Sequence, residues 1–390
     1  MRTARRYLAS EIYRTSIVVL LALVALFTFF SLIEELDSVG EKFTLLNLFY
    51  LEALATPARL YDLLPIGLLI GSILALASLA QRHELVILRV SGVSGTRLLF
   101  NLWLITIPMV AGAFLLSEVV TPRAEIQYSE ASLKLLGKAG GGRLNSGYWF
   151  KESDSNRNTR IINIGSLQAG GGVAQVSILE FDSKFNLHAM SQAKSGVFKG
   201  NQLTLNDIKR TEVEARAFDS LKNASTPEKP LHKITHDKSR TLKTTLTAER
   251  LLSRVLTPEK MSMFTLMDYI DYLDNNYLDT DRQVVALWRK FAYPFTLLVM
   301  ITIAAPISFM QTRRGGVGGK VFIGILLGVG FFMINQLALN MGMLSKWAPW
   351  FTALAPNIAV WAIALLTLLF MENQHDVKRI KYQLWPSDPS

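Results

Sequence analysis

Six long runs of the sequence contain no charged residue, and this feature restricts the fold of the chain more than any other. Each run has between 19 and 25 residues, and the charged residues that bound the runs are Arg14 and Glu34, Asp62 and Arg82, Arg97 and Glu118, Lys290 and Arg313, Lys320 and Lys346, and Lys346 and Glu372. A helix needs about 20 apolar residues to cross the hydrocarbon core of a bilayer. Only helices and closed barrels satisfy their backbone hydrogen bonds there, and these runs lack the alternation of barrel strands. The sequence therefore predicts six transmembrane helices.

The distribution of charge predicts the orientation of these helices. In a soluble protein the net charge of +10 would suggest a nucleic-acid partner. Here the basic residues cluster at the amino terminus, in the loops after the second and fourth runs and in the carboxyl tail, whereas the loop between the first two runs is acidic. Loops rich in Lys and Arg stay in the cytoplasm. We therefore predict that both termini are cytoplasmic and that the charge serves topology, not nucleic-acid binding.

This topology divides the chain into three parts. Residues 1–120 are predicted to hold three transmembrane helices, and residues 286–390 to hold three more and a cytoplasmic tail. Residues 121–285 then lie outside the cytoplasm. The predicted fold class is a membrane α-helical protein with three helices on either side of an inserted all-β domain, which is a sandwich or an open barrel.

Short β-rich runs separated by turn residues support the β-domain. We predict a strand in each of GYWFK, TRIINIG, VAQVSILEFD, FNLHAM, SGVFKG, QLTLNDI and TEVEARAF. Residues 219–240 are polar and rich in lysine, which predicts a mobile loop. A helix is predicted at TLMDYIDYLDNN, with Thr265 as its N-cap.

No motif predicts an active site in this chain. GGVGGK at residues 315–320 lacks both the spacing and the Ser or Thr of a P-loop, and the His-Glu pair at 83–84 lacks the second histidine of a zinc motif. The sequence contains no cysteine. A proton-coupled carrier would need an acidic residue inside the membrane, and Glu118 is placed only at the end of a run. We predict that the chain is not an enzyme and has no cofactor of its own.

The loop after the second span, AQRHELVILRVSG at residues 80–92, has the pattern of a short amphipathic helix. Leu85 and Leu88 recur at helical spacing, Arg82, Glu84 and Arg89 are polar, and Gly92 follows the predicted helix end. One interpretation is a helix that rests on lipid headgroups. The other is a helix that enters the groove of a protein partner, where its carboxylate makes a charge-assisted contact.

The chain resembles the LptF/LptG permease family, and more closely its LptG branch. The resemblance is carried by LAQRHELVILRVSG, by TPARLYDLLP before the second span, by VVTPRAE after the third and by RQVVALWRKFAYPF at the start of the fourth. It implies a permease subunit of the ABC transporter that extracts lipopolysaccharide from the outer leaflet of the bacterial inner membrane. An LptF-type subunit, or a membrane scaffold that presents a β-domain, is the alternative.

The resemblance also implies partners and roles. The partners are an LptF-type permease, an LptB-type ATPase dimer that binds ATP and Mg, an LptC-type bitopic protein, and a periplasmic bridge. The external domain is expected to be a periplasmic β-jellyroll that passes lipopolysaccharide onward. The loop at about 81–92 is expected to be the coupling helix, with Glu84 as the coupling carboxylate and its neighbours completing the contact; the set is Arg82, Glu84, Leu85, Leu88, Arg89 and Gly92.

Basic residues near the outer span ends are candidates for the lipid A phosphates. These candidates are Lys42, Arg59, Arg123, Arg289 and Lys290, with Arg282 close to them. Family members carry basic residues at positions where this sequence has Glu34, Ala58, Ser129 and Ser132. We expect Arg59 and Arg123 to stand in for the basic residues missing at Ala58 and Ser129, because each follows a span-end proline closely and arginine offers a planar fork that suits phosphate.

Overall fold

The structure is a computed structural model, and it describes residues 2–40, 43–91, 94–136, 148–153, 159–168, 172–183, 185–213, 232–244, 257–309 and 317–372. The chain divides into two compact units. The helical unit consists of Met1–Asp37, Ala55–Thr121 and Thr280–Ser390, and the β unit consists of Ser38–Leu54 and Pro122–Asp279. Lys42, Gly92 and residues 214–231 lie outside the described residues.

Long helices account for most of the described residues outside the sheet. They are α1 (Arg2–Glu35), α2 (Leu45–Gln81), α3 (Glu84–Val90), α4 (Gly95–Leu115), α5 (Thr121–Leu136), α6 (Met263–Asn275), α7 (Asp281–Phe309), α8 (Val317–Leu344) and α9 (Pro349–Glu372). A π-helical turn at Leu116–Val120 joins α4 to α5. Six of the described helical segments are long and apolar enough to cross a membrane, which confirms six candidate spans; they are Thr3–Ser38, Leu45–Gln81, Gly95–Ser132, Asp281–Ile307, Phe322–Leu344 and Pro349–Phe370.

The core of the helical unit lies around α2 and α7. The apolar window of α2 is 78% buried, whereas that of α1 is 11% buried. Close approach between α1 and α2 depends on Gly71, because a Cβ there would lie 2.4 Å from the Cα atom of Ser16. The Thr15 hydroxyl donates a 2.9 Å hydrogen bond to the Gly71 carbonyl at the same place. Small residues thus let the two helices touch backbone to backbone, as in membrane helix pairs generally.

Six antiparallel strands form one sheet in the β unit, in the order in which they occur along the chain. The strands are β1 (Tyr148–Ser153), β2 (Thr159–Gln168), β3 (Gly172–Phe181), β4 (Leu187–Lys199), β5 (Gln202–Val213) and β6 (His232–Lys243). Apolar side chains from one face of the sheet form a buried cluster that includes Ile162, Ile164, Val176, Ile178 and Leu205. The structure therefore contains the inserted β-domain. The jellyroll topology of this domain stays a prediction.

Two pairs of predicted strands are single continuous strands. FNLHAM and SGVFKG both belong to β4, and QLTLNDI continues into TEV within β5. Their buried positions jump from residue 193 to 196 and from 205 to 208, so the period of two breaks without the strand ending. Asp207 has a φ of 54° and Gln175, on β3, has a φ of 56°. A residue in this left-handed region shifts the alternation of side chains along its strand.

Two further sequence predictions were wrong. Residues 232–240 were predicted as part of a mobile loop but belong to β6, which pairs with β5 along its whole length. The N-cap of α6 is Ser262, not Thr265, because the Ser262 side chain accepts a hydrogen bond from the Thr265 backbone N–H.

The sheet curls so that its last strand meets its first two. The Thr244 hydroxyl, directly after β6, donates a hydrogen bond to the Glu152 carboxylate on β1. The Arg160 guanidinium on β2 donates to the Lys243 carbonyl at 3.2 Å. These contacts bring opposite ends of the six-stranded sheet together, an arrangement consistent with the open-barrel alternative.

Candidate functional site

The segment between α2 and α4 holds the predicted coupling helix. The long helix α2 ends at Gln81, and His83 reverses the chain with a φ of 59°. Helix α3 then runs for seven residues, from Glu84 to Val90, so it is shorter than the predicted stretch 81–92. Ser94 caps the next helix by accepting a hydrogen bond from the Arg97 backbone N–H. The motif therefore folds into an isolated two-turn helix between two spans.

The predicted coupling residues occupy different environments. Arg82 is exposed in the turn, Glu84 is half-buried at the start of α3, and Leu85 is buried. Leu88 and Arg89 lie on α3, and only their backbone is described. Ile87 and Val90 expose 62% and 84% of their surface. An apolar surface and a carboxylate thus share one short helix, with Leu85 buried and Ile87 and Val90 exposed.

A pocket of about 170 Å³ lies beside α3. Residues of α1, α2 and α3 line it, namely Ala4, Tyr7, Leu8, Leu79, Glu84, Leu85 and Ile87. The side chains of Tyr7 and Glu84 line this same pocket. The second carboxylate oxygen, Oε2, is buried and has no hydrogen-bond partner among the described residues. Because an unsatisfied buried acceptor is costly, this oxygen is suited to accept from a donor that enters the pocket.

The predicted headgroup residues of the helical unit have different surroundings. The Arg59 guanidinium donates hydrogen bonds to Thr28 at 3.1 Å and Ser31 at 2.8 Å, and so ties α2 to α1. Arg289 is half-buried on α7, and Arg282 is exposed near the start of the same helix.

Lys290 lies in a buried polar network. Its ammonium group donates hydrogen bonds to the Ser117 hydroxyl at 2.7 Å and to Glu118 Oε1 at 3.2 Å. The side chains of Lys290 and Glu118 expose only 6% and 10% of their surface. Tyr293, one turn further along α7, donates to the Tyr61 carbonyl at 2.6 Å, and the two rings stack with centroids 4.1 Å apart. This network joins α2, the π-helical turn and α7.

Sequence reasoning missed Glu118 as an acidic residue within a candidate span. Each run was defined to end at a charged residue. A charged residue that lies within a transmembrane helix, and the ion pair it makes there, could therefore not be recognised. In the structure the third candidate span continues past Glu118 to Ser132. The sequence did offer one signal for this pair, because a lysine bounds one run and a glutamate bounds another.

The described residues contain no group of three or more His, Cys, Asp or Glu side chains that could hold a metal ion. The helical unit therefore offers polar contacts for docking and for helix pairing in its described part.

Comparison with known proteins decides the family. The model of the family described as "Lipopolysaccharide export system permease LptF/LptG" matches residues 6–369. The chain belongs to the LptF/LptG permease family. It is therefore a permease subunit of lipopolysaccharide export, a multi-pass inner-membrane protein and a transport subunit, not an enzyme.

Relatives with curated names point to the LptG branch. The chain is 24% identical over 359 residues to the lipopolysaccharide export system permease protein LptG of Haemophilus influenzae, which covers 92% of this chain and 96% of that protein. It is 25% identical over 367 residues to LptG of Escherichia coli K12, with 93% and 97% covered. The likeness extends over nearly the full length of each relative, so it includes both units.

The positions where this chain departs from the expected family pattern are mostly buried. Ser129 and Ser132 are buried on α5 of the β unit, and Ala58 is buried on α2 in the helical unit. Glu34 and Arg123 are exposed. A basic side chain at the three buried positions would have to enter the protein interior, so Arg123, which is accessible on α5, remains the better candidate for a phosphate contact in that unit.

Proposed function

We propose that this chain transmits ATP hydrolysis by a separate LptB-type ATPase dimer into the extraction of lipopolysaccharide from the outer leaflet of the inner membrane. Helix α3 is the element that docks on the ATPase. The observation that supports this role is the buried, unpartnered Oε2 atom of Glu84 in a pocket beside exposed Ile87 and Val90. Apolar anchors around a desolvated carboxylate are suited to a partner groove that supplies a cation.

The competing interpretation, a helix that rests on headgroups, fits the same residues less well. Anionic lipid attracts basic side chains and repels carboxylates. Glu84 lines the pocket together with Tyr7, and a lipid surface would not stabilise its negative charge there. A protein partner with a positive side chain satisfies both the charge and the open acceptor.

The remaining partners follow from the same proposal. An LptF-type permease completes the heterodimer in the membrane, and an LptC-type protein together with a periplasmic bridge receives the lipid. Exposed apolar residues along α1 and α8, such as Phe30 and Phe332, offer surface for the second permease or for lipid. Both termini are proposed to be cytoplasmic, and the β unit periplasmic.

The β unit is proposed to handle the acyl chains. One face of its sheet is apolar and buried, with Val176 and Ile178 of β3 beside Leu203 and Leu205 of β5. A sheet with one apolar face and one solvated face can form a channel for hydrocarbon. Its curled form, with Thr244 held against Glu152, would enclose such a channel.

The coupling role is tested by charge reversal at Glu84. Glu84→Lys should leave the permease inserted but weaken ATPase binding and stop lipid export, because a desolvated charge contact becomes a like-charge clash that costs about 2–5 kcal/mol. Co-purification of the ATPase and lipopolysaccharide release from proteoliposomes are the measurements. Gln81→Lys is the matched control, because it adds a lysine at an exposed position of the same segment.

If Glu84→Lys retains the ATPase and exports lipid as Gln81→Lys does, α3 does not couple the two proteins. The headgroup interpretation would then be correct.

A further inference from the structure

Helix α3 depends on α1 for its position. A helix of seven residues is too short to be stable alone, because helix nucleation is unfavourable and so short a helix forms too few backbone hydrogen bonds to offset it. Leu85 on α3 is buried in the same cluster as Leu8 and Ile12 of α1 and Leu79 of α2. The first turns of α1 therefore form the packing surface against which α3 rests.

The same turns of α1 supply one wall of the pocket at Glu84. Ala4, Tyr7 and Leu8 face α3 across this pocket. Tyr7 remains 46% exposed, so its ring borders the opening of the pocket and is not part of the core. Of the groups that line the pocket, only the Tyr7 hydroxyl and the Glu84 carboxylate carry polar side-chain atoms.

We infer that Tyr7 is a positioning residue for Glu84, and that the amino-terminal turns of α1 belong to the ATPase-docking surface. The inference rests on the proposed coupling role of α3. Tyr7 and Glu84 supply the polar side-chain atoms of one pocket, and the buried Oε2 atom of Glu84 is left for a positively charged side chain of the ATPase. A carboxylate held in this way presents its open oxygen in one orientation before the partner arrives.

The physical gain is preorganisation. A free glutamate side chain must give up rotamer freedom when it binds, and a side chain that is already ordered avoids much of that loss. Tyr7→Phe keeps the ring and its packing but removes the hydroxyl. Because a hydrogen bond to a charged group is stronger than a neutral one, its loss should weaken ATPase association about five- to tenfold.

The experiment titrates purified LptB-type ATPase into the full permease complex in nanodiscs and separates the apparent Kd from ATP turnover at saturation. Tyr7→Phe should raise the Kd and leave saturated turnover unchanged. In the Glu84→Gln background, Tyr7→Phe should cause no further change, because the hydroxyl acts only through the carboxylate. A role in general stability would add equally in both backgrounds.

Tyr13→Phe is the matched control. It removes a hydroxyl from the same helix that donates a 2.6 Å hydrogen bond to the Ile105 carbonyl, and Tyr13 does not line the pocket. It should leave the Kd for the ATPase unchanged.

The outcomes distinguish a failure of the proposed coupling role from a failure of the inference about Tyr7. If Glu84→Gln binds the ATPase like the unmodified chain, the proposed coupling role fails. If Glu84→Gln weakens binding but Tyr7→Phe does not, or if the two effects add in full, the inference about Tyr7 is overturned while the coupling role stands. Tyr7 would then be an aromatic residue of the membrane interface.

Discussion

Removing the negative charge of Glu118 should destabilise the helical unit strongly. In Glu118→Gln, the Lys290 ammonium would stay buried between α7 and the π-helical turn without its counter-charge. It would retain the Ser117 hydroxyl at 2.7 Å as a hydrogen-bond partner, but a hydroxyl does not neutralise a cation. The perturbation is small in volume, because Gln and Glu have nearly the same shape.

The magnitude follows from the burial of both partners. Their side chains are 6% and 10% exposed and the N–O distance is 3.2 Å, so water screens the pair little. Breaking a buried pair by removing one charge costs about 3–5 kcal/mol, whereas replacing both charges with neutral groups is often nearly free. Glu118→Gln combined with Lys290→Met should therefore be much more stable than Glu118→Gln alone.

Thermal unfolding of the detergent-solubilised permease measures both variants. The exposed pair Lys194–Asp207 in the β unit provides the comparison, since its side chains are 83% and 62% exposed. Lys194→Ala should not shift the melting temperature measurably, because exposed pairs contribute little.

Equal melting temperatures for Glu118→Gln and the double variant would refute this reasoning, since the cost of an isolated buried ammonium would then be absent. Lipid loading of the stable double variant answers a second question. The sequence prediction that Lys290 contacts a lipid phosphate requires the double variant to co-purify with less lipopolysaccharide, whereas a purely structural pair predicts unchanged loading.

Three further predictions concern the lipid and the β unit. Arg59→Glu combined with Arg123→Glu should reduce lipopolysaccharide co-purification without loss of complex assembly, and unchanged lipid content would assign the phosphate contacts to the partner subunit. A photo-crosslinker at the buried Val176 should capture lipopolysaccharide only when ATP is supplied, and one at the adjacent exposed Gln175 should not; equal yields would argue against an acyl path on that face. Glu212 accepts a hydrogen bond from a neighbouring arginine on β5. This hydrogen bond and the positive charge of the arginine lower the pKa of Glu212. The ionised Glu212 carboxylate therefore stabilises the fold fully above the ordinary carboxyl pKa of about 4, and this stabilisation is lost as the pH falls toward the lowered pKa. The protection factors of the β5 amides against hydrogen exchange should fall less on acidification in Glu212→Gln than in the unmodified chain, and identical profiles would count against the ion pair.

The spans were predictable because a bilayer dictates composition over long stretches. An uncharged run of about 20 residues has few alternatives in an aqueous protein. The strands were less predictable, since β6 exposes nearly every side chain and carries His232, Lys233 and Lys243. It pairs with β5 alone among the described strands, and edge strands are commonly polar and charged. Such a strand shows no alternation, so it resembled a loop.

The coupling helix was recognisable from its local sequence, but its supporting residues were not. Glu84 and Leu85 lie within the motif itself. Tyr7 and Leu8 are distant in sequence and reach the same pocket only through the packing of α1 against α2 and α3. Local patterns reveal helices and their polar faces, and long-range packing decides which side chains complete a site.

The discontinuity of the helical unit has a consequence for biosynthesis. Its segments Ala55–Thr121 and Thr280–Ser390 are separated by most of the β unit. Contacts such as Tyr293 to Tyr61, 232 positions apart, can form only after the ribosome has made the intervening β segment. Domains tend to fold as they emerge, so α1, α2 and α4 must wait in a partly assembled state while the β segment is synthesised. During that interval the Lys290 side chain that pairs with Glu118 has not yet been made, so this buried ion pair is among the last contacts of the helical unit to form.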